Sequence, residues 1–481
     1  MHFAIEGCGV AVSLFNVNSR LARHVLFFGL PLVLGLACHA LFNLVDTLLV
    51  GQLGGEAGAQ AISVTGLCDP ITTFQTILFN GPIAGAGVLL SRALGEGNEE
   101  NLRRIALRAS GFVLALSAIM GVPGWIWSQE IATAMGAHEG WQLEQCTEYL
   151  EIMLAGGFTA GMFLYLTTLE RSLGRTNVFL LFFMLSNVLN ALFGLFLIYG
   201  AGPFPGFFPG FLRAWCEVLN LPRMGVIGSA WSTVLARAIA GGMLLGYGLW
   251  RGHMRGKLRW LIPQGRAVLE LMRIGMWNNG QIAARGLAGG VMIRTMQEAG
   301  RGDPNVVGGV FVGLKVELLL ILLSFGWGAA AQTLVASSLG AAKPERAAHE
   351  ERLTIVFATL TGILLTLPVF VFAPEIASWF NPQPQLVYWA ENYMELMAVA
   401  FVFTPVNVVI SQSLVARNHL RIPVILDSVV LLGVMSPILI IATLAGAGVK
   451  ALILVNMFTV VGLTIIYVVV RQRVVKHDAT R

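Results

Sequence analysis

The stretch NGPIAGAGVLLSRALGEGNEE at residues 80–100 has a counterpart, FGWGAAAQTLVASSLGAAKPE, at residues 325–345 of the same chain. The two stretches align at an offset of 245 residues and share Gly, Ala, Leu, Leu, Gly and Glu at matching positions. A shorter similarity pairs ERSLGRTN at 170–177 with SQSLVARN at 411–418, at an offset of 241. Two similarities at nearly the same offset indicate that the chain consists of two related halves.

Composition places both halves in a membrane. The 481 residues are 56% hydrophobic and 12% charged, whereas soluble domains carry about 25% charged residues. A helical span needs about 20 mostly apolar residues. Long apolar runs therefore predict an all-α polytopic membrane protein with twelve transmembrane helices in two pseudo-symmetric six-helix bundles around a central cavity. The predicted spans are 25–52, 61–90, 105–127, 148–168, 178–200, 225–249, 268–293, 306–338, 352–373, 391–414, 422–443 and 447–470.

The predicted domains follow from this count. Residues 1–249 form an N-terminal lobe with helices 1–6, residues 250–267 a basic cytoplasmic linker, and residues 268–481 a C-terminal lobe with helices 7–12. Most of the 31 Lys and Arg lie in the even-numbered connections and at the two ends, so the positive-inside rule makes both termini cytoplasmic. We expect the plasma membrane, the bacterial inner membrane, as the location. The outer connection 201–224, rich in Pro, Gly and Phe, is expected to be interfacial.

Several function classes are not favoured by the residues. The net charge of +5 comes from span ends, so no nucleic-acid partner is expected. The spans and their ends carry no paired-carboxylate or His/Cys catalytic pattern, so we expect no enzyme. The five cysteines lack metal-ligand spacing, and neither a metal nor an organic cofactor is expected. Cys146 and Cys216 both fall in outer connections, and a disulfide between them is a minor alternative.

The stretch HALFNLVDTLLVGQLGG at 39–55 places an aspartate in the first span. Asp46 lies about 10 Å below the predicted outer end, at about 1.5 Å of rise per residue. His39, Asn43 and Asp46 share one helix face by their i, i+4, i+7 spacing. A charged carboxylate at this depth costs at least about 2–3 kcal/mol, so it is expected to face partners or a cavity. His39 is read as a core histidine.

Polar residues at similar depth lie in spans five and six. Span five carries Ser186, Asn187 and Asn190, and span six carries Ser229, Thr233 and Arg237. Two interpretations follow. In one, Asp46 binds a proton or a cation, with Asn190, Asn187 and Thr233 supplying neutral oxygens. In the other, Asp46 forms a structural ion pair with Arg237. The first is preferred, because carboxylates inside a membrane are usually functional.

The second half carries its own intramembrane charges. Arg285, Lys315 and Glu317 come out at similar depths by helix rise. A structural pair, Arg285–Glu317 or Lys315–Glu317, is the preferred interpretation, because an isolated buried charge is too costly. The alternative is that Glu317 binds a cationic substrate or a second ion. Asp427, near the inner end of span eleven and close to Arg421, is expected to be a solvated interface charge.

These motifs together resemble the multidrug and toxic compound extrusion (MATE) transporters. The resemblance rests on GLPLVLGLACHALFNLVDTLLVGQLGG in span one, GAGVLLSRALGEGNEENLRR, LERSLGRTN and GVIGSAWSTVLARA, in that order, and covers essentially the whole chain. It implies antiport by alternating access, in which an amphipathic, often cationic compound leaves as protons or sodium ions enter. It also implies that Asp46 is essential, with Asn190 and Thr233 beside it, that Pro31 is a bend point, and that the protein is a monomer.

The chain departs from the family pattern at two places that bear on the coupling ion. Several prokaryotic members carry a second aspartate where this chain has Gly194, and many carry a glutamate in span seven where the best match is Gln281. Sodium prefers several oxygens including a carboxylate, whereas a proton needs one titratable group. Proton coupling is therefore preferred over sodium coupling.

The predicted function is a cation-coupled antiporter for small amphipathic compounds, with Asp46 as the coupling site. A lipid-linked-sugar flippase of a related exporter family is the alternative. A channel is disfavoured, because the repeat predicts two lobes and not a continuous pore ring. The substrate, the resting conformation and the role of 201–224 are left open.

Overall fold

The computed structural model describes residues 19–479, apart from short gaps, and is helical almost throughout. The gaps fall at residues 52, 54, 136, 138–139, 203–209, 221, 263–264, 302–303 and 381–383. In some helices only the backbone is described, most notably over 39–48 and 55–60. Over the described residues the all-α class predicted from the sequence is confirmed.

The described helices are numbered here in chain order. In the first half they are α1 Ser19–Gly51, α2 Gly55–Gly95, α3 Glu99–Ile126, α4 Ser128–Ala134, α5 Trp141–Ala155, α6 Gly157–Ser172, α7 Thr176–Tyr199, α8 Gly210–Leu219 and α9 Val226–Arg251. In the second half they are α10 Gly265–Ala299, α11 Pro304–Gly340, α12 Pro344–Val371, α13 Ala373–Phe380, α14 Pro384–Ala416, α15 Arg421–Asp427, α16 Ser436–Leu444 and α17 Val449–Ala479. A π-helical segment, Ser428–Met435, joins α15 to α16.

The predicted spans coincide with these helices. Among the described residues, ten helices are long and apolar enough to cross a membrane, and eleven if the bent pair α5–α6 counts as one span. The remaining predicted span lies on α10, which has 35 residues but is less apolar because it carries several polar and charged side chains. The chain is thus an all-α polytopic membrane protein.

The two halves share one turn geometry, which supports the repeat. At the end of α2, the Asn98 N–H bonds to the carbonyl of Ala93 and the Gly97 N–H to that of Leu94. At the end of α11, Lys343 and Ala342 make the same pair of bonds, to Ser338 and Leu339. This is the Schellman helix end, which needs a residue of positive φ. Gly97 at φ 69° and Ala342 at φ 56° supply it, and they are 245 residues apart.

The same comparison corrects the second sequence similarity. After α6, Gly174 has a positive φ, and the N–H groups of Gly174 and Arg175 make the two Schellman bonds. After α14, Asn418 has a positive φ, and Asn418 and His419 make the corresponding bonds. The equivalent positions are therefore 244 residues apart, and the offset of 241 read from matching letters is wrong by three. Turn geometry fixes the register here, because Ser, Leu and Asn can match by chance in so short a stretch.

The compact units of the structure are divided inside two helices. One unit spans Gly35–Ile282, and the other combines the residues up to Leu34 with Ala283–Arg481. The first is called the N-unit and the second the C-unit below. The division falls within α1 and α10 and not in the linker at 250–267, where the sequence places the lobe boundary.

Close glycine contacts explain this division. In the N-unit, a methyl group built on Gly81 of α2 would lie 2.6 Å from the carbonyl oxygen of Gly275 on α10. In the C-unit, a methyl group on Gly326 of α11 would lie 2.6 Å from Cα of Val33 on α1. Gly81 and Gly326 are the matched glycines of the repeat. In the N-unit the first part of α10 packs against α2, and in the C-unit the first part of α1 packs against α11. The two contacts are therefore equivalent.

Span four is broken, whereas the sequence predicts one run over 148–168. The helices α5 and α6 meet at an angle of 41° around Gly156. A break frees backbone groups that lipid cannot satisfy. The side chain of Gln75 on α2 is 5% exposed, and its amide donates to the carbonyl of Leu154, 3.3 Å away. Gln75 therefore supports the break from the neighbouring helix.

The glycine contact yields a test. We expect Gly275→Ala to destabilise the protein by about 1–3 kcal/mol, because the new methyl group meets backbone atoms of Gly81 and Pro82 that cannot move aside. Gly290→Ala on the same helix is the matched control, since a methyl group there meets no described atom within 4 Å. Replacing Gly in a helix should then stabilise by up to about 1 kcal/mol. The midpoint of thermal unfolding in detergent separates the two, and equal midpoints would contradict the packing.

Candidate ion-coupling site

The position of Asp46 follows from the backbone register of α1 and α7. The side chains of His39, Asn43 and Asp46 lie outside the described part of the structure, although their backbone is helical. At one end, a methyl group on Gly35 would lie 2.6 Å from Cε1 of Phe179. At the other end, a methyl group on Gly194 would lie 3.3 Å from Cδ1 of Leu49.

These two contacts show that α1 and α7 run parallel in a nearly constant register. Residues 35 and 179 are 144 apart in sequence, and residues 49 and 194 are 145 apart. The hydroxyl of Tyr199 also donates to the carbonyl of Leu49 at 2.6 Å. Asp46 on α1 is therefore level with Asn190 on α7, and Asn43 is level with Asn187. The sequence predicts similar depths for Asp46 and Asn190, and the backbone register sets these two residues level.

The third helix of this region is α9. The Ser232 hydroxyl oxygen would lie 3.8 Å from a methyl group on Gly194, and Thr233 follows in the same turn of α9. Thr233 is 7% exposed and Asn190 is 3% exposed. Backbone bonds from Met224 and Gly225 to the end of α7 show that α9 leads away from that end. Thr233 thus lies within one turn of the level of Asn190.

Two amide groups at this level are incompletely satisfied. The side-chain oxygen of Asn190 and the side-chain nitrogen of Asn187 are buried, and neither has a hydrogen-bond partner among the described residues. An unsatisfied buried polar group costs about 1–3 kcal/mol. Such a group in a native structure often points to a ligand, an ion or water. The Asn190 oxygen is an acceptor, which suits a proton donor or a cation.

Pro31 lies inside α1 and is buried. Proline has no N–H, so the carbonyl one turn earlier loses its helical bond and the helix is weakened there. The boundary between the C-unit and the N-unit falls at Leu34, one turn further on. The expected bending at Pro31 stays a prediction.

The C-unit pairs its charges differently from the prediction. Nε of Arg285 on α10 bonds to Asp427 at 2.6 Å, so the expected Arg285–Glu317 pair is wrong. The hydroxyl of Tyr467 on α17 donates to the other Asp427 oxygen at 2.7 Å. Asp427 is fully buried, so the expectation of a solvated interface charge beside Arg421 is also wrong.

The partner of Glu317 is a tyrosine. The hydroxyl of Tyr393 on α14 donates to Glu317 on α11 at 2.6 Å, and Tyr393 is itself buried. Asn456 on α17 lies beside this pair, bonding to the sulfur of Met397. Lys315, two residues before Glu317, is exposed, and Gln281 is buried in the N-unit.

Sequence reasoning missed both tyrosines. Neither carries a formal charge, and both come from helices far along the chain from the groups they bind. A signal was available, because the chain has only 7 tyrosines and Tyr467 interrupts the apolar run TIIYVVV. A buried tyrosine usually finds a hydrogen-bond partner. Over the described residues, no group of three or more His, Cys, Asp or Glu could hold a metal ion.

The fold and the polar residues inside the membrane define the class of protein. The chain is a polytopic helical membrane protein whose first half places an intramembrane aspartate level with buried amide groups, an arrangement typical of ion-coupled transporters. The MatE family model matches residues 31–196 and 291–439, which is more than half of the chain. The chain belongs to the MatE family of multidrug efflux transporters.

Relatives and solved structures agree with this. The chain is 25% identical to an FAD transporter of Shewanella oneidensis over 402 residues, covering 82% of this chain and 81% of the relative. It is 20% identical to the probable multidrug resistance protein NorM of Thermotoga maritima over 415 residues, covering 85% and 82%. A MATE transporter crystallised with MaL6 has the same fold, with a TM-score of 0.83 at 19% identity over 96% of this chain and 98% of that one.

The buried ion pair of the C-unit yields a test. We expect Asp427→Asn to lower stability by about 3–5 kcal/mol, because Arg285 is left without its counter-charge. Glu298→Gln on α10 is the matched control. Its pair with Arg294 is solvent-exposed, at 82% and 53% side-chain exposure, and such pairs contribute about 0–1 kcal/mol. Thermal unfolding in detergent ranks the variants, and an Asp427→Asn protein as stable as Glu298→Gln would contradict the assignment.

Proposed function

We propose that the chain is a proton-coupled antiporter that exports small amphipathic, often cationic compounds by alternating access, with Asp46 as the coupling residue. The observation that carries the proposal is the register of α1 and α7, which sets the backbone of Asp46 level with Asn190. The buried amide oxygen of Asn190 has no hydrogen-bond partner among the described residues. A neutral carboxyl has an O–H to donate to that oxygen. A carboxylate in the same place would need a cation between the two acceptors.

The choice of proton over sodium rests on the neighbouring residues. Asn187, Asn190 and Thr233 are all neutral, and Gly194 stands where some family members carry a second aspartate. Proton coupling needs only one titratable group, and Asp46 supplies it. Sodium binding by Asp46, Asn190, Thr233 and backbone carbonyls is the competing outcome of the experiment below.

The setting follows from the charge pattern. We propose a bacterial inner-membrane location with both termini in the cytoplasm, since most Lys and Arg lie on one side of the predicted spans. A monomer acting on small molecules fits the family. The comparisons do not favour the lipid-linked-sugar flippase.

The coupling proposal is tested by gradient-driven efflux from inverted membrane vesicles. We expect wild type to move ethidium on an imposed proton gradient, and Asp46→Asn to lose that movement because the Asn side chain does not release a proton. Glu99→Gln, at a solvent-exposed carboxylate in the first turn of α3 outside the predicted spans, is the control and should transport normally.

Each other outcome has a definite meaning. Movement on a sodium gradient alone replaces the proton with sodium. Normal transport by Asp46→Asn would contradict the role of Asp46 as the coupling residue and would favour a structural ion pair between Asp46 and Arg237. FAD, the substrate named for the Shewanella relative, serves as an anionic alternative to ethidium in the same assay. Movement of FAD without ethidium would change the substrate class.

One charged residue of the C-unit is also part of the proposed mechanism. We propose that Glu317 is a second protonation site, since its partner Tyr393 is neutral. Asp427, by contrast, is held by Arg285, and Gln281 and Lys315 stay outside this role. A carboxyl bound only by a phenol can gain a proton without leaving a cation unpaired.

We expect Glu317→Gln to lower proton-driven efflux about tenfold, equivalent to about 1.4 kcal/mol, and to flatten its dependence on pH. Tyr393→Phe should keep transport but shift its pH dependence, because it removes only the hydrogen bond. Glu395→Gln, an exposed carboxylate on the same helix as Tyr393, is the control. An unchanged pH profile in Glu317→Gln would make that residue structural.

A further inference from the structure

Three cysteines from separate segments of the N-unit share one apolar core. Cys68 on α2, Cys146 on α5 and Cys216 on α8 are each at most 1% exposed. They are buried with Leu150, Tyr199 and other apolar residues of the same cluster. All described cysteines are free thiols, so the pairing of Cys146 with Cys216 considered from sequence is not formed.

Two of these cysteines lie next to each other. The Cys68 thiol donates to the backbone carbonyl of Cys146 at 3.8 Å. The segments that carry them are 78 residues apart in sequence. A disulfide needs two cysteines whose backbones approach closely, and a thiol within hydrogen-bond reach of the other cysteine's backbone meets that first requirement.

The charge pattern places this core toward the outer face. The core contains Leu49 and Val50 at the end of α1, Tyr199 at the end of α7 and Val226 at the start of α9. The arginines of the same helices lie at the opposite ends, for example Arg175 before α7 and Arg251 at the end of α9. With the proposed orientation, the opposite ends are cytoplasmic and the core faces the oxidising side.

We propose that Cys68 and Cys146 form a disulfide on the oxidising side of the membrane, joining α2 to α5. The reaction needs a two-electron oxidant, which is a small or protein disulfide, RSSR. One cysteine attacks RSSR and releases RSH, forming a mixed disulfide. The second cysteine then attacks that bond and releases another RSH. The two cysteines lose two protons and two electrons in total, and RSSR becomes two RSH.

The crosslink would act on the broken fourth span. Cys68 and Gln75 are seven residues apart on α2 and share one face of that helix. The Cys68 thiol bonds to the carbonyl of Cys146 in the first half of α5, and Gln75 bonds to the carbonyl of Leu154 near the end of α5, beside the break at Gly156. A disulfide would fix α5 to α2 covalently where a weak thiol contact now lies, so α5 could not swing independently of α2 about the break.

The experiment measures the redox state of the full-length protein in its membrane. Cells are quenched with N-ethylmaleimide during lysis, and a second membrane sample is first incubated with glutathione disulfide. Peptide mapping without reductant should show a Cys68–Cys146 peptide in at least one sample, and dithiothreitol should remove it. Wild-type protein with this crosslink should also unfold at a higher temperature than the same protein after reduction.

Serine variants separate this pair from the third thiol. Cys68→Ser and Cys146→Ser should each abolish the crosslink, whereas Cys216→Ser, from the same core, should retain it. The proposal is overturned if Cys68 and Cys146 stay alkylated in both samples, or if the crosslink contains Cys216. The result does not depend on transport, so dye efflux reports on the proposed function separately.

Discussion

A membrane interior offers no water to backbone N–H and C=O groups, and the structure is arranged around that constraint. Continuous helices satisfy it wherever they run unbroken. Two of the interruptions have a substitute side-chain donor among the described residues. Gln75 donates to the carbonyl freed at the break between α5 and α6. In span eleven, Pro437 has no N–H, and the π-helical segment Ser428–Met435 precedes it. The hydroxyl of Ser436 donates to the carbonyl of Leu431 there.

The same constraint explains why so much of the fold was readable from sequence. Because every span must be a helix, long apolar runs identify the elements, and the glycine-rich stretch at 80–100 and its copy identify the repeat. Gly81 and Gly326 proved to be close-packing positions in both units. Residue identities alone did not predict the correct alignment of the second sequence similarity, in which Gly174 corresponds to Asn418. Both take positive φ, a property of the backbone and not of residue identity.

The candidate site divides in the same way. On the N-unit side, helix rise from the predicted outer surface gives similar depths for Asp46 and Asn190. The parallel register of α1 and α7 sets their backbones level. In the C-unit, the charges were assigned to each other by depth, and that assignment failed. Arg285 pairs with Asp427, which lies more than a hundred residues further along the chain. The carboxylates of Asp427 and Glu317 each accept a hydrogen bond from a tyrosine hydroxyl. The depth of a residue along its helix does not say which neighbouring helix its side chain faces. The relative positions of all three helices are needed before such partners can be assigned.

The two C-unit carboxylates show how pairing decides what a buried acid can do. Removing the charge of Asp427 would leave the Arg285 guanidinium without a counter-charge, which is costly in an apolar interior. Glu317 accepts from the hydroxyl of Tyr393, and protonating it strands no cation in that pair. Asp46 is level with amides that are also neutral. Asp427 joins α10, α15 and α17 through its contacts with Arg285 and Tyr467, and proton exchange is proposed only for Asp46 and Glu317. A count of intramembrane carboxylates therefore says less about their proposed roles than the charge of the group that each one contacts.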